Sequence, residues 1–200
     1  MFAGIIESTN RITEVFPLNQ ALRIQIERPT FFDDLKVGDS IAVNGVCLTL
    51  ESYNQSHMMF TLGYESLKIL GWDKENLVNK QVNLERSLKF GDRIHGHLVS
   101  GHVDSLAKVL EKTQLGESLF YRFSLPLEIK RFIWKKGSIA IQGVSLTVNE
   151  IDESSFTVCL IPETLKKTNL SLLAVNEFVN IESDYLIKGL TQSSSESRTI

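Results

Sequence analysis

Ser40-Ile41-Ala42-Val43-Asn44-Gly45-Val46-Cys47-Leu48-Thr49 occurs a second time in the chain, as Ser138-Ile139-Ala140-Ile141-Gln142-Gly143-Val144-Ser145-Leu146-Thr147. Carried without gaps to Lys68 over Lys166, this alignment matches 12 of 29 positions, where unrelated segments would share about two. The chain therefore contains a duplicated unit. Weaker anchors extend it: Gly4 pairs with Gly101, and Val82-Asn83-Leu84-Glu85 pairs with Val179-Asn180-Ile181-Glu182. Gly91 to Gly96 reads as the connector. The division is then a first unit at 1–96, a second at 97–185 and a tail at 186–200.

Asn44-Gly45 lies between the apolar runs Ile41–Val43 and Val46–Leu50, a strong hairpin signature because both residues tolerate positive φ; Gln142-Gly143 takes the same place in the second unit. Alternation and β-propensity predict further strands at 22–27, 58–62 and 81–85, then at 98–104, 119–124, 155–161 and 178–182. Several short strands per unit imply a small closed all-β barrel. Helix is expected to be minor: about a turn after Tyr64 and after Pro162, and a segment from Leu125 to Trp134 where Ile129, Phe132 and Ile133 share a face. The serine-rich end, Thr191 to Ile200, is expected to fray.

With 200 residues and 42% hydrophobic content a real core is available, and wholesale disorder is excluded. Twenty-one basic against twenty-four acidic side chains give a net charge of -3, so no overall positive field favours nucleic acid or anionic lipid. The apolar runs are too short for a membrane span, and the first residues carry no basic leader pattern. Cys47 and Cys159 are too few for a disulfide scaffold, which fits a reducing cytoplasm.

Side chains two apart on a strand share a face, so Cys47 points with Thr49, and Ser145 with Thr147. One such pair fits a barrel interior that accepts small residues. Two pairs at equivalent places suggest two similar ligands, and the hydroxyls with nearby amides suit a polyol or heterocycle. Cys47 is equally readable as a core residue. Tyr64-Glu65-Ser66-Leu67 and Pro162-Glu163-Thr164-Leu165 open short helices whose free N–H groups either meet a ligand or only complete the turn. His95, His97 and His102 invite a metal reading, but their parity differs and neither cysteine is close in sequence, so no metal is expected. His102 stands where the first unit has Ile5, adding a titratable group to one unit only.

Met1-Phe2-Ala3-Gly4-Ile5-Ile6, Asn44 to Thr49, Gly96-His97-Leu98-Val99-Ser100-Gly101-His102-Val103, Gly143 to Val148 and Ile161-Pro162-Glu163-Thr164-Leu165 together resemble the motifs of the riboflavin synthases of alpha-chain type, over nearly all of the chain up to Tyr185. The resemblance implies two homologous six-stranded antiparallel Greek-key barrels and a homotrimer. It also implies dismutation of two molecules of the small-molecule substrate 6,7-dimethyl-8-ribityllumazine into riboflavin and 5-amino-6-ribitylamino-2,4-pyrimidinedione. No cofactor is called for, because one lumazine is the reaction partner of the other. A lumazine- or flavin-binding protein of the same fold without turnover is the alternative.

By resemblance, the first pocket is lined by Gly4, Ile5, Ile6, Ser40, Cys47, Leu48, Thr49, Thr61, Leu62, Gly63, Tyr64, Glu65 and Ser66. The second takes Gly101, His102, Val103, Lys136, Ser145, Leu146, Thr147, Cys159, Leu160, Ile161, Pro162, Glu163 and Thr164. His102, Ser145, Cys47 and Asp184 are the candidates for proton handling and for stabilising developing charge.

Overall fold

The computed structural model describes the backbone of residues 1–196 and the side chains of residues 1–191. The first barrel consists of β1 (Ser8–Leu18), β2 (Ala21–Glu27), β3 (Ser40–Val43), β4 (Val46–Tyr53), β5 (His57–Leu62) and β6 (Gln81–Arg86), with the short helices α1 (Tyr64–Leu70) and α2 (Lys74–Leu77) before β6. The second repeats the plan with β7 (Ser105–Leu115), β8 (Ser118–Ser124), β9 (Ser138–Ile141), β10 (Val144–Ile151), β11 (Ser155–Leu160) and β12 (Phe178–Ser183); α3 (Pro162–Lys167) precedes β12 and α4 (Tyr185–Glu196) follows it. Both close in the order β1-β2-β5-β4-β3-β6 and its counterpart, all pairs antiparallel. In each, the last strand returns beside the third, which makes the connection a Greek key. Two closed six-stranded barrels are thus the observed fold.

Bulges close the barrels. The register slips between Ile12 and Glu14 in β1 and between Leu50 and Ser52 in β4, and at the matching places in β7 and β10. Each slip bends its strand sharply enough to serve two neighbours. Inward residues such as Ile24, Leu50 and Phe60 fill the first interior, and Val109, Phe123 and Val158 the second. Each such side chain contributes about 1.5–3 kcal/mol by leaving water.

The Asn44-Gly45 and Gln142-Gly143 hairpins meet each other. Asn44 and Gly45 lie at φ of 48° and 80°, Gln142 and Gly143 at 50° and 79°, as a two-residue turn of that hand requires. A Cβ on Gly45 would stand 2.7 Å from the Gly143 nitrogen, and one on Gly143 would stand 2.7 Å from the Gly45 nitrogen. This reciprocity marks a local twofold relation between the barrels. Around it Asn83 Nδ2 donates to the Gln142 carbonyl and Asn180 Nδ2 to the Asn44 carbonyl, both at 2.9 Å. Phe2, Ala42, Val99 and Ala140 add an apolar cluster.

The start of each unit crosses to the other barrel. Phe2 and Val99 form an isolated antiparallel bridge, Ile6 is buried in the core of the second barrel, and Val103 packs against that of the first. The strand expected at 98–104 is therefore absent: Gly101 turns at φ 83° and the second unit's ladder starts only at Ser105. The helix expected over 125–134 is a single 3-10 turn at Lys130–Phe132, because Ile129 and Ile133 are drawn separately into the core. The tail is helix α4 through Glu196, not frayed, with its start capped where Asp184 accepts the Leu186 N–H at 2.9 Å. Residues 197–200 of that expectation lie outside the described residues.

Candidate active site

Alternation along β4 sends Val46, Leu48 and Leu50 into the core and leaves Cys47 half-buried and Thr49 exposed; on β10 Ser145 is half-buried and Thr147 exposed. Both polar pairs thus lie outside the barrel walls, not within the interior that small residues would fill. Leu48, Leu62 and Leu160 are buried core side chains, so only their backbone can face a ligand. Ser40 lies opposite Thr49 in the ladder, and Thr61 and Cys159, both half-buried, lead into the exposed turns Gly63–Glu65 and Ile161–Glu163. Ser66, Leu146 and Thr164 are half-buried beside them, and Lys136 is exposed at φ 68°.

Each pair is fixed by the glycine of the other unit. Ser145 N–H donates to the Gly4 carbonyl and Cys47 N–H to the Gly101 carbonyl, both at 2.8 Å. The glycines are needed there. A Cβ on Gly4, at φ 71°, would meet the Ser145 nitrogen at 2.7 Å, and one on Gly101 would meet Cys47 Cβ at 2.5 Å.

Ser145 has a partner, His97, that the sequence pattern offers only as a metal-ligand candidate. Its Oγ lies 2.7 Å from Nδ1 of buried His97. Burial pushes the His97 pKa below the ordinary histidine value, against the opposing pull of the Asp184 carboxylate. Neutral His97 can accept the Ser145 proton at Nδ1, the arrangement a serine used in proton transfer needs. His102 is exposed, its N–H donating to Ser100 Oγ at 3.2 Å; it lines a cavity of about 700 Å³ with Val103, Asp104, Tyr185 and Lys188. Ile5 is exposed over a second cavity of about 460 Å³ that also reaches Glu85 and His95.

The structure thus joins Ser145 with Gly4 and with His97, whose Nε2 is buried without a hydrogen-bond partner, and joins Cys47 with Gly101; it does not bring His102 to Ser145. The 48-residue gap between His97 and Ser145 left no local motif to find. Two further residues had a signal that served only for alignment. Glu85 and Glu182 are buried carboxylates at equivalent repeat positions, and each accepts two backbone N–H groups.

Among the described residues no group of three or more His, Cys, Asp or Glu is placed to hold a metal ion, both cysteines are free, and no helix is long and apolar enough to cross a membrane.

The pattern of the family described as "Lumazine binding domain" matches residues 3–87 and again 100–184. The chain is 39% identical to the riboflavin synthase of Actinobacillus pleuropneumoniae over 194 residues, covering 96% of this chain and 89% of that one. It is 41% identical to the riboflavin synthase of Chlamydia pneumoniae over 191 residues, covering 94% and 92%. In fold it is similar to LumP complexed with riboflavin, with a TM-score of 0.81 at 24% identity over 92% of this chain and 99% of that one. LumP complexed with 6,7-dimethyl-8-(1'-D-ribityl) lumazine gives 0.80 at 22% identity with the same coverage.

Proposed function

Because the chain belongs to the riboflavin synthase family, we propose that the two hairpin sites, around Ser145, His97 and Gly4 and around Cys47 and Gly101, carry that family's reaction. The enzyme takes two molecules of 6,7-dimethyl-8-ribityllumazine, moves a four-carbon unit from one to the other, and releases riboflavin and 5-amino-6-ribitylamino-2,4-pyrimidinedione. The atoms and electrons of two lumazines equal those of the two products, so no oxidant or reductant enters. The observation that carries this reading is the duplication itself. A reaction between two copies of one compound needs two similar sites with unequal chemistry, and the Ser145–His97 pair opposite Cys47 supplies the inequality.

The mechanism begins with loss of a proton from the acidic 7-methyl group of one lumazine. Ser145, its hydroxyl held on neutral His97, relays protons in the second site, and Asp184 stabilises the imidazolium that forms. Cys47 and Thr49, with Ser40 beside them, hold the lumazine of the first site, and the free N–H groups that open α1 and α3 read ring carbonyls. Holding the two rings together makes their encounter effectively unimolecular, the largest contribution available to a protein without a cofactor.

Between the barrels of one chain Gly45 and Gly143 abut, and the cleft of about 280 Å³ beside them, lined by Asn44, Trp72, Gln142 and Asn169 among others, has neither Cys47 nor Ser145 in its walls. The substrates accordingly meet between chains, first barrel of one against second barrel of the next, in a cytoplasmic homotrimer. The exposed Leu186 and Leu190 of α4 are apolar surface for such an assembly. Light scattering is expected to give a mass of three chains; a monomer under assay conditions would refute this arrangement.

Incubation with the lumazine tests the function. Riboflavin absorbance is expected to grow with one riboflavin for every two lumazines consumed, whereas ligand binding without turnover would point to a carrier protein.

A further inference from the structure

Glu85 and Glu182 stand near the ends of β6 and β12 and are almost fully buried. Glu85 accepts the Ala3 N–H at 2.7 Å and the Gly4 N–H at 3.1 Å. Glu182 accepts the Ser100 N–H at 2.7 Å and the Gly101 N–H at 2.9 Å. An ionised carboxylate is needed to accept both, since a protonated or amide oxygen pair offers a donor to one of them. The carbonyl of Gly4 then accepts from Ser145 N–H, and that of Gly101 from Cys47 N–H. The two chains of hydrogen bonds cross between the barrels.

We propose that Glu85 and Glu182 are positioning residues acting crosswise: Glu85, in the first barrel, sets Ser145 of the second through Gly4, and Glu182, in the second, sets Cys47 of the first through Gly101. This rests on the reading of Ser145 and Cys47 as site residues, and its test has a part that does not.

Burial pushes Glu85 up to about 7, against the pull of the Ala3, Ile5 and Gly4 N–H groups, with Glu7 adding to the rise. Arg86 beside it is engaged by Glu7 and Asp34, and Lys89, Asp92, Arg93 and His95 face the same cavity from the connector. Glu182 is also raised by burial, against Ser100, Lys188 and Gly101; Lys188 is paired with Asp104, and His102 lines the adjoining cavity. A carboxyl whose folded pKa is raised binds more protons folded than unfolded, so Glu85 makes the protein more stable as pH falls from about 7 towards the unfolded value of 4.5. The clamp meanwhile loses an acceptor. Acidification through this window therefore lowers turnover while raising the Glu85 contribution to stability; a merely structural carboxyl raised in the same way would gain the same stability and leave turnover unchanged.

The experiment is a set of four double-mutant cycles. Glu85→Gln should lower kcat by about tenfold with KM nearly unchanged, and its loss should overlap that of Ser145→Ala while adding to that of Cys47→Ala. Glu182→Gln should show the reverse pairing. The independent arm follows amide signals of the unaltered protein by NMR. The Ser145 and Gly4 N–H resonances should move together with one midpoint near that of Glu85, and Glu85→Gln should abolish the movement. Full additivity in all four pairs, or a Ser145 amide that ignores pH between 8 and 6, would overturn the proposal. Absence of turnover in the unaltered protein would instead sink the assigned reaction and leave the NMR test standing.

Discussion

Gly143→Ala is expected to lower stability by about 3 kcal/mol, since it adds left-handed backbone strain to an overpacked contact. At φ 79° the new methyl would lie 2.7 Å from the Gly45 nitrogen and 3.0 Å from its Cα, and neither is a flexible side-chain end that could swing away. Gly116→Ala is the control: Gly116 has φ 59° but nothing within 4 Å, so strain alone, about 1 kcal/mol, should appear. Urea unfolding of both variants measures the difference. Equal losses would show that the inter-barrel contact contributes nothing. Because the contact joins the barrels, Gly143→Ala should also broaden the transition as the two begin to unfold separately.

Ser145→Ala and His97→Gln are each expected to reduce kcat by about 10²-fold or more, the usual reach of a positioned proton-transfer group. Stability should fall by only about 1–2 kcal/mol, the cost of leaving a buried ring nitrogen or hydroxyl without its partner. The pH dependence has a definite sign. His97 is held below the ordinary histidine value, so it binds fewer protons folded than unfolded, and its contribution to stability is lost as pH falls from about 6.5 through the lower folded value. The acid limb of kcat should sit in that lower window and disappear in His97→Gln. Both variants retaining full turnover while melting earlier would remove the pair from the mechanism.

The fold was legible where the chain repeats itself. Asn44-Gly45 and Gln142-Gly143 announce hairpins through residues that accept positive φ, and the structure has them there. Strands β1 and β7 were not found, for a physical reason: the bulges after Ile12 and Val109 interrupt the period of two, so Ser8–Leu18 and Ser105–Leu115 lack the alternation that marks a strand. The opposite error arose at 98–104, where apolar Val99 and Val103 simulate a strand but belong to a segment crossing onto the other barrel. The small polar pairs on β4 and β10 were readable because the repeat doubled them. His97 and the two clamping glutamates were not, because what they do depends on segments far away in sequence, 48 residues for His97 to Ser145 and 82 for Glu85 to Ala3.

The reciprocal contact of Gly45 and Gly143 also governs how the two halves can diverge. Positions away from the axis answer to one pocket each, so Ile5 and His102, or Tyr64 and Pro162, are free to differ. Positions on the axis face their own counterparts, and a larger side chain at either is refused by the other. Neutral drift after the duplication is therefore uneven across the chain. Identity between the halves should persist longest along the hairpin and the Asn83 and Asn180 positions that brace it, which is where Ser40 to Thr49 and Ser138 to Thr147 still agree. Gly45 and Gly143, which help to reveal the ancestry, are positions that the ancestry itself forbids to change.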